Sequence, residues 1–207
     1  MSGSQARTPP RALASPAGFS VVELLVTTAL VVVIAVPAIA RLDAGLGRVR
    51  AEAGARQVAA RLAAARAHAL SSGRSTAVRF ERSADTIRMA QVLDGNGNGL
   101  RTVDVMSGVD RRVRRPVRLE ELVPGARFGI AADLPAIDEE SGLAAGSKPI
   151  RFGDSDMASF SARGTATPGT AYVRGPDSEQ YAVRVLGATG RIRVLRFDRM
   201  RGLWLTR

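Results

Sequence analysis

Glu23 is the residue whose position most needs a chemical reason. It is the only charged side chain between residues 19 and 40, a stretch otherwise built of apolar and small uncharged residues. A carboxylate inside a membrane costs roughly 2.5–3.5 kcal/mol on insertion scales. The chemistry open to Glu23 is therefore ion pairing with a cation brought alongside it. A second group, Asp94-x-Asn96-x-Asn98-Gly99, carries the alternating side-chain oxygens of the first half of a calcium loop. The twelfth position is Val105 where that pattern needs glutamate, and Asp104 comes one residue early. A plain Asn/Gly turn fits the same residues better than a calcium site. A third group is basic. Arg191, Arg193, Arg196, Arg199 and Arg201 crowd one segment, and Arg111, Arg112, Arg114 and Arg115 another. Guanidiniums in such numbers can neutralise phosphates or simply form a solvated surface.

Catalytic chemistry finds little to use. There is one histidine, His68, and no cysteine, so a thiol nucleophile, a disulfide framework and a Cys-based metal site are excluded. Asp154 with Asp156, and Glu139 with Glu140, are acids among loop residues, where solvated carboxylates are expected. No nucleophile elbow occurs, and no phosphate-binding glycine loop ending in Lys-Ser or Lys-Thr. The sequence points away from an enzyme, and no cofactor is expected. The formal net charge is +11, and of the 30 basic residues only Lys148 is lysine. That bias fits genome composition as well as it fits a polyanion partner such as nucleic acid or acidic lipid headgroups.

The elements that must position Glu23 begin at the N-terminus. Residues 1–18 are polar, with Arg7 and Arg11 and no acid. Counted from Phe19, the apolar run to Ala40 has 22 residues, about 33 Å as a helix and long enough to span a bilayer. A secretory signal peptide would have a shorter apolar core and a small-x-small cleavage site after it. Pro37-Ala38-Ile39-Ala40 is a poor one. A plain signal anchor would explain the apolar run and the arginines before it, but not Glu23.

The arrangement Gly18-Phe19-Ser20-Val21-Val22-Glu23-Leu24-Leu25-Val26 resembles the processing site of type IV prepilins and type II secretion pseudopilins. In that family a glycine precedes phenylalanine, glutamate is the fifth residue of the mature chain, and an apolar segment follows. The resemblance implies that a prepilin peptidase cuts between Gly18 and Phe19 and methylates the new amine of Phe19. Residues 1–18 would then be a cleaved leader and 19–40 a retained transmembrane helix. It also implies that Glu23 pairs with the amine of a neighbouring subunit during assembly, since a paired buried charge is far cheaper than an unpaired one. The alternative is a Glu23 that lies in the headgroup layer without a role.

Pro37 should kink this helix or loosen one turn. From Arg41 the pattern becomes amphipathic: Leu42, Leu46, Val49 and Ala53, then Val58, Leu62, Ala65 and Ala69, recur at helical spacing. Gly45, Gly47 and Gly54 should weaken it locally. Ser71-Ser72-Gly73 should end it. Residues 41–73 are thus expected to continue the helix into the soluble part and pack on a sheet.

After Gly73 the period changes to two. Residues 75–81 and 86–93 read as a hairpin. Further strands are expected at 100–106, 117–122, 149–152, 171–174, 180–186, 191–197 and 203–206, with 131–148 as a long exposed loop. With aromatics at 4%, the core should rest on Val, Leu, Ile and Ala. The fold class is α+β: a long N-terminal transmembrane and amphipathic helix packed on a C-terminal antiparallel β-sheet domain, residues 74–207.

Within that domain, residues 160–170 (FSARGTATPGT), 181–185 (YAVRV) and 190–194 (GRIRV) look like the C-terminal half of the GspH/FimT family. This implies a minor pseudopilin, a structural subunit of a type II secretion pseudopilus or type IV pilus-like fibre that supports protein secretion. Its partners would be the prepilin peptidase, other pilins or pseudopilins in a hetero-oligomeric fibre, and membrane lipid. It would cross the bacterial inner membrane once, with the C-terminal domain in the periplasm or outside the cell. The family also implies an alternative, a DNA-binding minor pilin for natural transformation, because the Gly-Arg-x-Arg segment of DNA-uptake members is matched at 190–193. Arg191 and Arg193 are then the DNA-binding candidates.

Overall fold

In the computed structural model the chain is α+β. The structure describes residues 18, 20–84, 86–135, 137, 142–176 and 179–206, with 36–44 by backbone alone. The chain divides into a unit ending at Leu42 and a compact unit from Asp43 onward. In chain order the elements are α1 (Val21–Ser72), β1 (Thr76–Ser83), β2 (Thr86–Leu93), α2 (Thr102–Ser107), β3 (Arg111–Arg112), β4 (Val117–Arg118), α3 (Leu119–Leu122), β5 (Arg127–Phe128), β6 (Ile150–Arg151), β7 (Met157–Phe160), β8 (Gly169–Arg174), β9 (Gln180–Val185), β10 (Ile192–Asp198) and β11 (Leu203–Thr206).

Ser20 sets the start of α1. Its Oγ accepts the Val22 N–H at 3.3 Å and its carbonyl accepts the Leu24 N–H at 3.0 Å, which is how a serine N-cap satisfies the orphan amides of a first turn. The helix runs through Pro37 without a break and ends where Gly73 turns to φ +65°, as expected from the sequence. In the first unit the large apolar side chains of Val21, Val22, Leu24, Leu25, Val26 and Leu30–Ile34 are all exposed. Among the described residues no helix is long and apolar enough to cross a membrane. Phe19 and the side chains of 36–40, which belong to the expected span, lie outside the described residues.

In the second unit α1 buries Ala51, Ala55, Val58, Leu62, Ala65 and Ala69 completely. The second half of the expected stripe is therefore buried. In the first half the side chain of Leu42 lies outside the described residues, Ala53 is half-buried, and Leu46 and Val49 are exposed. Gly47 and Gly54 are buried in their place. A Cβ on Gly54 would lie 2.5 Å from Ala126 Cβ and 3.3 Å from Val173 Cγ1. Gly54 lets the helix backbone approach β8, a close-approach role that outweighs its low helix propensity.

Two antiparallel sheets receive the helix, where the sequence suggested one. The first has the order β3-β2-β1-β7 with β4 also on β2, and the second β11-β10-β9-β8-β5 with β6 also on β8. The expected β1–β2 hairpin forms, with a register from Thr76 opposite Leu93 to Ser83 opposite Thr86. The main core joins α1 to the inner faces of both sheets through Val78, Phe80, Ala158, Phe160, Ala171, Val173, Tyr181, Val183 and Val185. Phe80 of the first sheet stacks on Phe152 at 5.6 Å and meets Phe128 of the second edge-on, also at 5.6 Å. The few aromatics are thus concentrated in the core, not absent from it.

Four further expectations are corrected. Residues 100–106 hold no strand; α2 forms there, closed by Gly108 at φ +80°, with Val105 as its buried residue and Val103 and Met106 exposed. Alternation over six residues suits one turn of helix with a single inward residue as well as it suits a strand, and the neighbouring edge of β2 is already taken by β3 and β4. Residues 117–122 pair only at Val117 and Arg118; acids at Glu120 and Glu121 favour the helical turn of α3. β7 was not expected, yet it pairs with β1 from Thr76 opposite Phe160 to Arg79 opposite Met157. Finally, 131–148 is not simply exposed. Leu134 and Leu143 exchange both backbone hydrogen bonds, at 2.8 and 2.7 Å. They pack with Ile130, Tyr172, Ala182 and Leu195 on the outer face of the second sheet. Glu139 and Glu140 lie outside the described residues.

Candidate functional site

Glu23 falls in the first turn of α1 and is exposed. The turn is tightened by hydroxyls, since Thr27 Oγ1 donates to the Glu23 carbonyl at 2.8 Å and Thr28 Oγ1 to the Leu24 carbonyl at 2.8 Å. Gly18 is exposed with open space around its Cα, and a Cβ there would meet nothing within 4 Å. The scissile bond expected after it ends on Phe19, which lies outside the described residues.

The C-terminal motif segments, distant in sequence, meet at the far end of α1. In the turn joining β9 to β10, Gly190 has φ +59° and its N–H donates to the Leu186 carbonyl at 2.8 Å. A Cβ at Gly190 would lie 2.8 Å from the Gly164 carbonyl oxygen and 3.0 Å from Arg66 Nε. Arg66 of α1 donates from a terminal nitrogen to the Thr189 carbonyl at 3.2 Å, and the Ala166 N–H donates to the Gly187 carbonyl at 2.8 Å. Gly190 is therefore required by the close packing of two turns on a helix, whatever else the arginines beside it do.

Arg191 and Arg193 are both exposed. Arg193, on β10, stands opposite Arg184 of β9, Arg184 opposite Thr170 of β8, and Thr170 opposite Arg151 of β6. Arg184 donates to Thr170 Oγ1 at 3.3 Å. Four adjacent strands thus carry one polar, basic row on the face turned from the main core. Arg151, Arg184, Lys148, Thr170, Tyr172 and Asp154 bound a cavity of about 500 Å³. Lys148 pairs with Asp156 at 2.8 Å. Sequence reasoning missed Arg184 as the neighbour of Arg193 and Arg151 as a member of the same row. The available signal was Arg184 alone, polar between Val183 and Val185 in an alternating strand. The other basic cluster is partly neutralised, since Arg112 pairs with Glu81 at 2.6 Å.

The calcium-like loop is closed on itself. The two Asp94 oxygens accept the N–H groups of Gly97 at 2.7 Å and Gly99 at 2.9 Å. Buried Asp110 accepts those of Gly95 at 3.1 Å and Arg101 at 3.3 Å. Asn96 caps the Asn98 N–H, and Asn98 donates to Asp104. Asp94, Asn96 and Asp110 each accept backbone amides, as side chains in Asx turns do, and among the described residues no group of three His, Asp or Glu stands where it could hold a metal. His68 lies at hydrogen-bond distance from Thr76 Oγ1, 3.3 Å, and shares a cavity of about 390 Å³ with Ser72 and Asp94; the Ser72 hydroxyl donates to the His68 carbonyl at 2.7 Å and the Asp94 oxygens accept loop amides.

No family model and no curated protein matches the chain. Among solved structures it is similar to the minor pseudopilin EpsH from the Type 2 Secretion System of Vibrio cholerae, at 20% identity over 71% of this chain and 97% of that one, with a TM-score of 0.43. At that identity and score the likeness carries no argument about function.

Proposed function

We propose that the chain is a minor pilin-type subunit, made as a precursor, cut between Gly18 and Phe19, methylated at Phe19 and held by residues 19–40 in the bacterial inner membrane. Its work is assembly into a type II secretion pseudopilus or a type IV pilus-like fibre, with other pilins as partners and no catalysis. The observation that carries this reading is Glu23, a carboxylate in the first turn of a helix whose next large apolar residues are all exposed. A domain of two antiparallel sheets on the later part of the same helix supports it. Mass spectrometry of membrane fractions tests it. With the peptidase present the mature chain should start at Phe19, and Gly18→Val should leave the precursor uncut. A mature start beyond Ala40 would mean an ordinary signal peptide.

A second reading, DNA capture for uptake, is favoured by exposed Arg191 and Arg193 and by the row that joins Arg193 to Arg184. Replacing Arg191 and Arg193 by alanine should then abolish DNA binding at physiological salt. Replacing exposed Arg82 and Arg111 removes the same charge and should not. Equal small losses, seen only at low salt, indicate a diffuse basic surface and leave the assembly reading in place.

A further inference from the structure

The outer edge of β2 is not continuously paired. β3 covers it at Val92 and Leu93, and β4 at Arg88 and Met89. Between them the Val113 N–H donates to the Gln91 carbonyl at 2.9 Å, and the chain then leaves the edge until Val117. Pro116, which has no N–H to donate, lies in the detached part. A cleft of about 230 Å³ opens there between the detached segment and α1. Val78, Met89 and Ala90, all buried, line its floor, and Gln57, Arg61, Gln91 and Arg114 supply its polar walls.

Two features of this cleft are unexplained by the fold. The Arg61 Nε is buried and has no hydrogen-bond partner, although buried donors are nearly always satisfied. Another cation, Arg114, lines the same cleft and acts on it, and no acid lines the cleft. Burial and then the Arg114 charge both lower the Arg61 pKa from its ordinary value. Two guanidiniums around one small cavity, one with a covered Nε–H that no protein group accepts, suit an anion. The apolar floor and the flanking amides of Gln57 and Gln91 suit a carboxylate on a short carbon stem better than a phosphate, which has no apolar part to bury.

We propose that this cleft is a carboxylate-binding site, with Arg61 and Arg114 sharing the anion and Val78, Met89 and Ala90 receiving its carbon stem. It does not depend on whether the chain assembles fibres or captures DNA. Arg61, half-buried with its Nε covered, is the anchor and Arg114 the exposed second cation. The carboxylate comes either from a small free acid or from an acidic side chain of another polypeptide.

The test uses the full chain in detergent with ¹⁵N-labelled arginine. Titration with sodium acetate should shift the Arg61 Nε resonance saturably, and sodium chloride at equal ionic strength should not. Arg114→Ala should weaken the response about tenfold or more, as loss of a charge-assisted hydrogen bond does, and Arg111→Ala should leave it unchanged. Gln91→Glu, which brings a carboxylate into the cleft from within, should raise the melting temperature and abolish the acetate response. Gln91→Ala should do neither. A glutamate-bearing peptide that saturates the shift at lower concentration than acetate identifies a polypeptide source; equal concentrations identify a free acid. The proposal is overturned if acetate gives no saturable shift, if inorganic phosphate binds as tightly, or if Gln91→Glu neither stabilises the fold nor blocks acetate.

Discussion

Two stretches of α1 use apolar residues in opposite ways. From Val21 to Ile34 the side chains are large, mostly Val and Leu, and all those of large size are exposed. From Ala51 to Ala69 the buried side chains are mostly alanine, with Val58 and Leu62 between them. Large apolar side chains without cover need a surrounding from outside the chain, a membrane or other subunits. A helix pressed onto two sheets has little room, so small residues do the packing. Hydrophobicity alone therefore does not mark the part of a helix that holds a domain together.

The largest effect expected from breaking this contrast is at Leu62. Leu62→Ala should destabilise the domain by about 2–5 kcal/mol through lost burial and a cavity, measured by denaturant unfolding. Val32→Ala should change the same transition by no more than about 0.5 kcal/mol. Equal losses would mean that the chain itself covers the first stretch. Gly54→Val should cost about 1–3 kcal/mol by overpacking against Ala126. Gly45→Ala, with open space around it, should instead stabilise by about 1 kcal/mol through helix propensity.

Glu23→Ala sharpens the comparison from the other side. It should leave the unfolding transition unchanged and reduce co-assembly with other pilins, read by co-purification from membranes. Normal incorporation would remove the ion-pairing argument. The smallest effect is at Tyr181, whose hydroxyl reaches Glu52 of α1 at 3.4 Å. Burial first, then the Glu52 charge, raises the phenol pKa above its ordinary value of 10.0. The folded state keeps its proton while the unfolded state begins to lose it. Stability should therefore be fully present below about pH 10 and fall as pH rises from there through the folded pKa. Tyr181→Phe should flatten that alkaline slope, measured as melting temperature against pH. An unchanged slope would show that another group sets it.

Much of the candidate site was legible because it is local. Gly18, Phe19 and Glu23 lie within six residues, and a resemblance over so short a span needs no tertiary contact. Arg191 and Arg193 were legible as a motif, but the row was not, because Arg184, Thr170 and Arg151 fall into line with Arg193 only when β6, β8, β9 and β10 pair. The Arg61–Arg114 cleft was invisible in the sequence for the same reason. Its two cations are 53 residues apart, and the gap between them exists only because β3 and β4 leave part of one strand edge unpaired.

The sequence by itself determined the elements whose signal is a long regular period or a strong stop. These are the helix to Ser72, the turn at Gly73, the β1–β2 hairpin and the closing strands of the second sheet. Only the tertiary structure decided which face of the helix is buried at Leu46 and Val49, that α2 replaces a strand, that β7 joins β1, and that the loop at Leu134 and Leu143 covers a sheet. Each of those outcomes depends on what stands opposite. A six-residue segment alternates equally well toward a strand partner or as one helical turn, and a glycine weakens a helix in isolation yet permits its closest contact when a sheet lies within reach of its Cα.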